Sequence, residues 1–199
     1  MERCGKVTAS RIADILAKTK SGPSASRQNY LAQLVAERLT MTVEPSFTNA
    51  AMQWGTDHEP IARAVFEIAT SLTVNEGGFI NHPTIDMAGA SPDGLISDDG
   101  LLELKCPNTA THIDYLLKGE VPPKYKPQMA WQIICTERKW CYFGSFDPRM
   151  PDSLQLFVVK YEPTMEYLNE VTAEVVSFIA EVDETVRKLE AIQQKAINK

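Results

Sequence analysis

Asp93, Glu103 and Lys105 are residues of this chain whose types and spacing are able to do chemistry; they lie in the stretch ASPDGLISDDGLLELKCP, from Ala90 to Pro107. Two carboxylates at short range repel each other unless a hard cation sits between them. Mg²⁺ and Mn²⁺ take such ligands from one or two carboxylates plus phosphate oxygens. A cation held there polarises a phosphoryl oxygen and lowers the pKa of bound water, which makes a nucleophile at neutral pH. An ammonium beside it orients that water or neutralises charge building on phosphorus.

The elements that must position these groups are two short strands. Asp98-Asp99-Gly100 carries the Asp-Gly signal that closes a hairpin. The first strand opens at Asp93 and the second bears Glu103 and Lys105. Side chains two apart on a strand share a face, so Glu103 and Lys105 point together while Leu102 and Leu104 turn into a core. Folding at the turn brings Asp93 back beside them, at one edge of a sheet. An E-x-K alternation alone also describes a solvated amphipathic hairpin with a weak surface ion pair. The upstream Ser-Pro-Asp-Gly and the closing turn favour the metal site.

SPDGL followed by LLELKCP resembles the PD-(D/E)XK nuclease core, in its lambda-exonuclease-like branch of phage recombination exonucleases. The resemblance implies an α/β fold with a mixed central β-sheet of about five strands flanked by α-helices. It implies metal ligands at Asp93, Glu103 and the Leu104 carbonyl, and a lysine, Lys105, that serves the attacking water.

The chain has 199 residues, enough for one domain with a substantial core. We expect a single nuclease domain over 1–199 with a C-terminal helix over about 165–196. Its 44% hydrophobic and 23% charged content is ordinary for a globular protein. The absence of a long apolar run and of an apolar leader points to a cytoplasmic protein. The net charge of −6 argues weakly against nucleic acid, but residues 1–40 hold seven Lys/Arg against three Asp/Glu. DNA needs only such a local basic surface. Cys4, Cys106, Cys135 and Cys141 lack iron–sulfur spacing and read as reduced thiols, and His58, His82 and His112 are too scattered for zinc.

From the N-terminus, TASRIADILAK predicts a helix with Ile12, Ile15 and Leu16 on one face and Thr8 or Ser10 as N-cap. Arg3 lies just before it. Lys18-Thr-Lys20-Ser-Gly-Pro is a basic loop able to touch DNA backbone through Lys18 and Lys20, or simply to be solvated. A second helix is expected over Ser26 to Leu39. After the connector MTVEPSF comes a third helical stretch, AAMQWGTDHEPIARAVFEIAT, in which Gly55 and Pro60 are poor helix formers and Pro60 is expected in the first turn of a second helical piece. LTVNEGGFINHP and IDMAGAS supply strands with a turn at Gly77-Gly78. THIDYLLKG is a short helix closed by Gly119. QMAWQIICT is an apolar helix with Gln128 and Gln132 one turn apart. KWCYFGSFDPRM and LQLFVVKYEP are expected strands, and a long amphipathic helix from Met165 buries Leu168, Val171, Val175, Phe178 and Ile179.

The resemblance extends to these segments and adds roles. W-G-x-x-x-E implies that Glu59 approaches the metal. R-C-G-K-V-T-A-S implies that Arg3, Thr8 and Ser10, together with Ser91, hold a 5′-phosphate. A Gln after the linker Tyr125 faces the centre; Gln128 fits this place, with Gln132 the alternate. The implied activity is Mg²⁺-dependent (Mn²⁺ as substitute) 5′→3′ digestion of one strand at double-stranded DNA ends, leaving 3′ single strands for recombination. Implied partners are a single-strand annealing protein and two further copies in a ring-shaped homotrimer, in the cytoplasm of a bacterial host carrying the phage. The alternatives are an endonuclease of restriction or junction-resolving type on the same core, and a non-catalytic DNA-end-binding module.

Overall fold

The computed structural model describes residues 2–20, 22–43 and 49–198. The expected MTVEPSF connector therefore lies partly outside the described residues, as does Ser21 of the basic loop. In order, the elements are β1 (Val7–Thr8), α1 (Ile12–Leu16), β2 (Lys18–Thr19), β3 (Gly22–Pro23), α2 (Ala25–Thr40), α3 (Ala50–Thr70), β4 (Val74–Asn75), β5 (Ile80–Asn81) and β6 (Ala88–Ala90). They continue with β7 (Gly94–Ile96), β8 (Gly100–Lys105), α4 (Thr109–Lys118), α5 (Lys126–Thr136), β9 (Trp140–Phe146), β10 (Leu156–Tyr161) and α6 (Met165–Ile197).

A five-stranded mixed sheet runs in the order β10-β9-β8-β7-β4. β7 and β8 are the expected hairpin, in the register Gly94↔Leu102. β8 then pairs with β9 in parallel, a geometry that needs a long crossover, here made by α4 and α5. β8 is thus the central strand, and the expectation of a sheet edge is corrected: both of its sides are hydrogen-bonded. The turn differs too. Ser97 takes the left-handed conformation (φ 47°), and Gly100 already belongs to β8. Its missing side chain serves packing, because a Cβ there would come within 2.0 Å of the Trp140 ring.

Alternation along β8 sorts its side chains. Leu102 and Leu104 join Ala62 and Phe66 of α3 and Phe146 in one buried layer. Leu101 faces the opposite layer, with Met129 and Ile133 of α5, Tyr115 of α4, and Phe143. A third layer packs α1, α2, α5 and α6 around a small sheet of order β1-β6-β5. Val171, Val175, Phe178 and Ile179 of α6 are buried there, as its periodicity requires. The strands entering the hairpin are therefore split between two sheets, β4 in the large one and β5 and β6 in the small one.

Two helices depart from expectation. α3 runs unbroken through Gly55 and Pro60, because the burial of Ala62 and Phe66 outweighs one lost backbone hydrogen bond at an exposed proline. The N-terminal helix is reduced to a 3₁₀ turn, Ala9–Arg11, and five α-helical residues, and neither start has a side-chain cap. Thr8 ends β1 and stands at the N-cap position of the 3₁₀ turn without a side-chain cap bond, its N–H donating to the Tyr30 hydroxyl at 3.0 Å. Among the described residues no helix is long and apolar enough to cross a membrane.

Candidate active site

Extending the hairpin register by one residue sets Asp93 across from Glu103. Asp93 Oδ2 accepts the Leu104 N–H at 2.7 Å, so the backbone of β8 holds this carboxylate over the strand. Glu103 is fully buried, which removes the reading of a solvated surface pair. Its Oε1 accepts from Lys105 Nζ and, at 2.6 Å, from Gln128 Nε2. Its Oε2 accepts from Gln132 Nε2 at 2.6 Å. Both glutamines project from α5, one turn apart, onto one carboxylate. Sequence reasoning left a choice between them, and the tertiary structure takes both. Gln132 is the deeper of the two, and its own Oε1 is buried without a partner among the described residues.

The electrostatics follow from this crowding. Burial and the neighbouring Glu103 push the Asp93 carboxyl from the ordinary 3.8 up to about 8, against the opposing pull of Lys105. For Lys105, burial favours the neutral amine, but Glu103 and Asp93 overcome it and hold the ammonium charged. The Cys106 thiol is pushed up to about 11 by burial and by Glu59 and Asp93, so it is not a ready nucleophile.

Asp93 and Gln128 open onto a cleft of about 1030 Å³, whose lining also includes Glu59, Arg3, Thr8, Ser10 and Ser91. A neighbouring groove of about 500 Å³ is lined by Lys105, Cys106 and Tyr125, and Glu59 borders both spaces. Arg3 and Ser91, 88 residues apart in sequence, meet directly: Arg3 Nη2 donates to Ser91 Oγ at 2.6 Å. Lys18 and Lys20 are not brought to the cleft. Lys18 Nζ instead bonds Glu174 of α6 at 2.6 Å, because the basic loop folds into the β2–β3 ribbon beside that helix. Arg63 of α3 is a cleft residue that sequence reasoning passed over. The available signal was its position four residues after Glu59, the spacing of a helical ion pair.

The groups that could hold a metal are all oxygen: the Asp93 and Glu103 carboxylates, the Leu104 carbonyl that the resemblance implies and, lining the cleft, Glu59. Among the described residues no three His, Cys, Asp or Glu side chains are grouped to hold a metal, so carboxylates alone do not close a coordination shell. Two side-chain oxygens, a carbonyl and solvent or phosphate oxygens suit a hard divalent cation. Asp93 is raised first by burial and then by Glu103, and a cation between the two carboxylates would oppose both effects.

Comparison with known proteins places the chain beside one family model and several solved structures. A family model described as a YqaJ-like viral recombinase domain matches residues 1–139. The crystal structure of an alkaline exonuclease (LHK-Exo) from Laribacter hongkongensis is similar at 48% identity and TM-score 0.91, covering 98% of this chain and 96% of that one; a structure of LHK-Exo in complex with dAMP matches equally well. A phage related exonuclease from Haemophilus somnus 129PT shares the fold at TM-score 0.74 and 12% identity, over 92% of this chain and 96% of that one. No curated protein gives a significant match.

Proposed function

The chain belongs to the YqaJ-like viral recombinase family, and from that premise we propose that it is a DNA exonuclease centred on Asp93, Glu103 and Lys105. The observation that carries this reading is the convergence of these residues on β8, beside a cleft that also holds Arg3 and Ser91. Likeness to an alkaline exonuclease along nearly the whole chain supports it, and we read residues 1–199 as one nuclease domain.

Asp93, Glu103 and the Leu104 carbonyl would hold a divalent cation, for which we propose Mg²⁺, with Mn²⁺ as substitute. Bound there, such a cation supplies Lewis acidity toward a phosphoryl oxygen and a more acidic water. The remaining work falls to the chain. Leu104 N–H keeps Asp93 aimed over β8. Gln128 and Gln132 fix the plane of Glu103, and a carboxylate held by donors needs little reorganisation during reaction. Lys105 keeps its proton and stabilises negative charge at the reacting phosphate. Glu59 adds a further oxygen at the border of cleft and groove. Arg3 and Ser91, with Thr8 and Ser10 on the same cleft, would bind a terminal 5′-phosphate through charge-assisted hydrogen bonds.

An anchored 5′-phosphate makes the enzyme end-directed and 5′→3′, so one strand of a duplex is consumed and a 3′ single strand remains for an annealing protein. A ring-shaped homotrimer reconciles the −6 charge with DNA, since only the channel needs to be basic.

The test is 5′-phosphorylated linear duplex with Mg²⁺ against the same sequence as a covalently closed circle. Linear DNA should lose one strand stepwise from the 5′ end while the circle stays intact. Nicking of the circle would make the protein an endonuclease, and no cutting of either would leave an end-binding module.

A further inference from the structure

We infer that Arg63 is a DNA-phosphate contact, held by Glu76 and Glu59 while the cleft is empty and released to the strand when DNA enters. This rests on the exonuclease reading and extends it to a residue outside the proposed phosphate site.

Charge balance in the cleft calls for a second cation on the path of the strand. Among the described residues, Glu2, Glu59, Glu76 and Asp93 line the cleft against the guanidinium groups of Arg3 and Arg63. A polyanion entering that space needs both cations. Arg3 already leans on a neutral partner, the Ser91 hydroxyl, and needs no exchange to meet a phosphate.

Arg63 is held loosely for a guanidinium that is only 19% exposed. Its Nη2 reaches Glu59 Oε1 at 3.4 Å, a long contact. Its Nη1 bonds Glu76 Oε1 at 2.7 Å, but that carboxylate is 82% exposed, so water screens the pair and it contributes little. Its Nε is buried and finds no hydrogen-bond partner among the described residues. The fork of Nε–H and Nη–H, which matches two oxygens of one phosphate, is thus half unused. Turned out of this seat toward the cleft, the guanidinium would offer Nε–H and Nη–H to one phosphate and exchange a screened partner for a charge-assisted one. Glu76 is then a placeholder, keeping the guanidinium paired until the strand arrives.

The competing role is a tether in which Arg63 ties α3 to the link between β4 and β5. The two roles predict opposite effects of Glu76. End binding is measured by fluorescence anisotropy with a 5′-phosphorylated duplex in EDTA, over a range of NaCl concentrations, with the DNA checked for integrity on a gel. Arg63→Met should bind about 10- to 100-fold more weakly at low salt, and the slope of log affinity against log salt should fall by about one. Glu76→Gln should bind as tightly as wild type or more tightly, with the wild-type slope. Arg63→Lys keeps the charge without the fork, so it should retain the slope and lose part of the affinity; it also serves if Arg63→Met folds poorly.

An unchanged slope in Arg63→Met overturns the inference. So does Glu76→Gln weakening binding as Arg63→Met does, since that is a tether's signature. Wild type that does not bind duplex ends would overturn the exonuclease reading and this inference together, an outcome distinct from both.

Discussion

Replacing Asp93 by Asn should make the metal-free protein more stable while ending its activity. Asp93 has an ordinary value of 3.8 in the unfolded chain and about 8 in the folded one, raised by burial and by Glu103. Between those values the folded state binds a proton that the unfolded state does not. Stability is therefore whole below about pH 4 and is lost as pH rises toward 8. At pH 7 about three pH units lie above the unfolded value, and each costs about 1.4 kcal/mol. The penalty is thus about 4 kcal/mol at most, and about 2–4 kcal/mol once water at the half-buried carboxyl is allowed for. An amide carries no charge, and its Oδ1 can still accept the Leu104 N–H that Asp93 accepts now. For a chain of this size the gain corresponds to about 5–15 °C in melting temperature. The assay is thermal unfolding of both proteins in EDTA from pH 4 to 8, repeated with Mg²⁺. Asp93→Asn should melt higher near neutrality, and the difference should close toward pH 4. Mg²⁺ should raise wild type by mass action and leave the variant where it was. If Asp93→Asn melts at or below wild type at pH 7 in EDTA, the crowded-carboxylate account is wrong. If Mg²⁺ stabilises both equally, Asp93 is not a ligand.

Lys105→Met should slow hydrolysis by about 10²- to 10⁴-fold, while Mg²⁺ affinity by calorimetry holds or rises, because the ammonium competing for Glu103 is gone; loss of metal binding would refute the assignment. Wild type should digest 5′-phosphate ends faster than 5′-hydroxyl ends, and Arg3→Ala should erase most of that preference, about 1.5–3 kcal/mol for a hydrogen bond to a charged group; initial rates on the four combinations give the coupling. Asp147 is a structural case of the opposite sign: burial would raise it, but Arg149 and Thr109 hydrogen bonds hold it down to about 2. Its stabilisation is present above its ordinary value of 3.8 and is lost as pH falls through 2, so Asp147→Asn should cost about 2 kcal/mol at pH 7 and progressively less in acid, by denaturant unfolding at each pH.

The β7–β8 hairpin was legible in the sequence because its geometry is local. Strand periodicity puts Glu103 and Lys105 on one face, and a turn between Asp93 and Glu103 leaves the carboxylates few other arrangements. The long helices were legible for the same reason, their apolar periods being visible in any window. Elements whose form depends on distant packing were not. Pro60 argued for a break in α3, yet the buried faces of Ala62 and Phe66 on β8 carry the helix through it. Thr8 and Ser10 resembled a helix start, but pairing of β1 with β6 drew Thr8 into a strand and left only a short helix behind it.

The same division runs through the site. That two carboxylates and an ammonium converge was written into about a dozen consecutive residues. Which groups surround them was decided by the tertiary structure: both Gln128 and Gln132 on Glu103, Arg3 on Ser91, Arg63 turned into the cleft, and Lys18 diverted to Glu174. The physical reason is range. Dihedral preferences and side-chain alternation act over a few residues and can be read from one strand or one helix. A contact between residues tens of positions apart depends on how whole elements pack, and the sequence of either element alone carries no record of its partner.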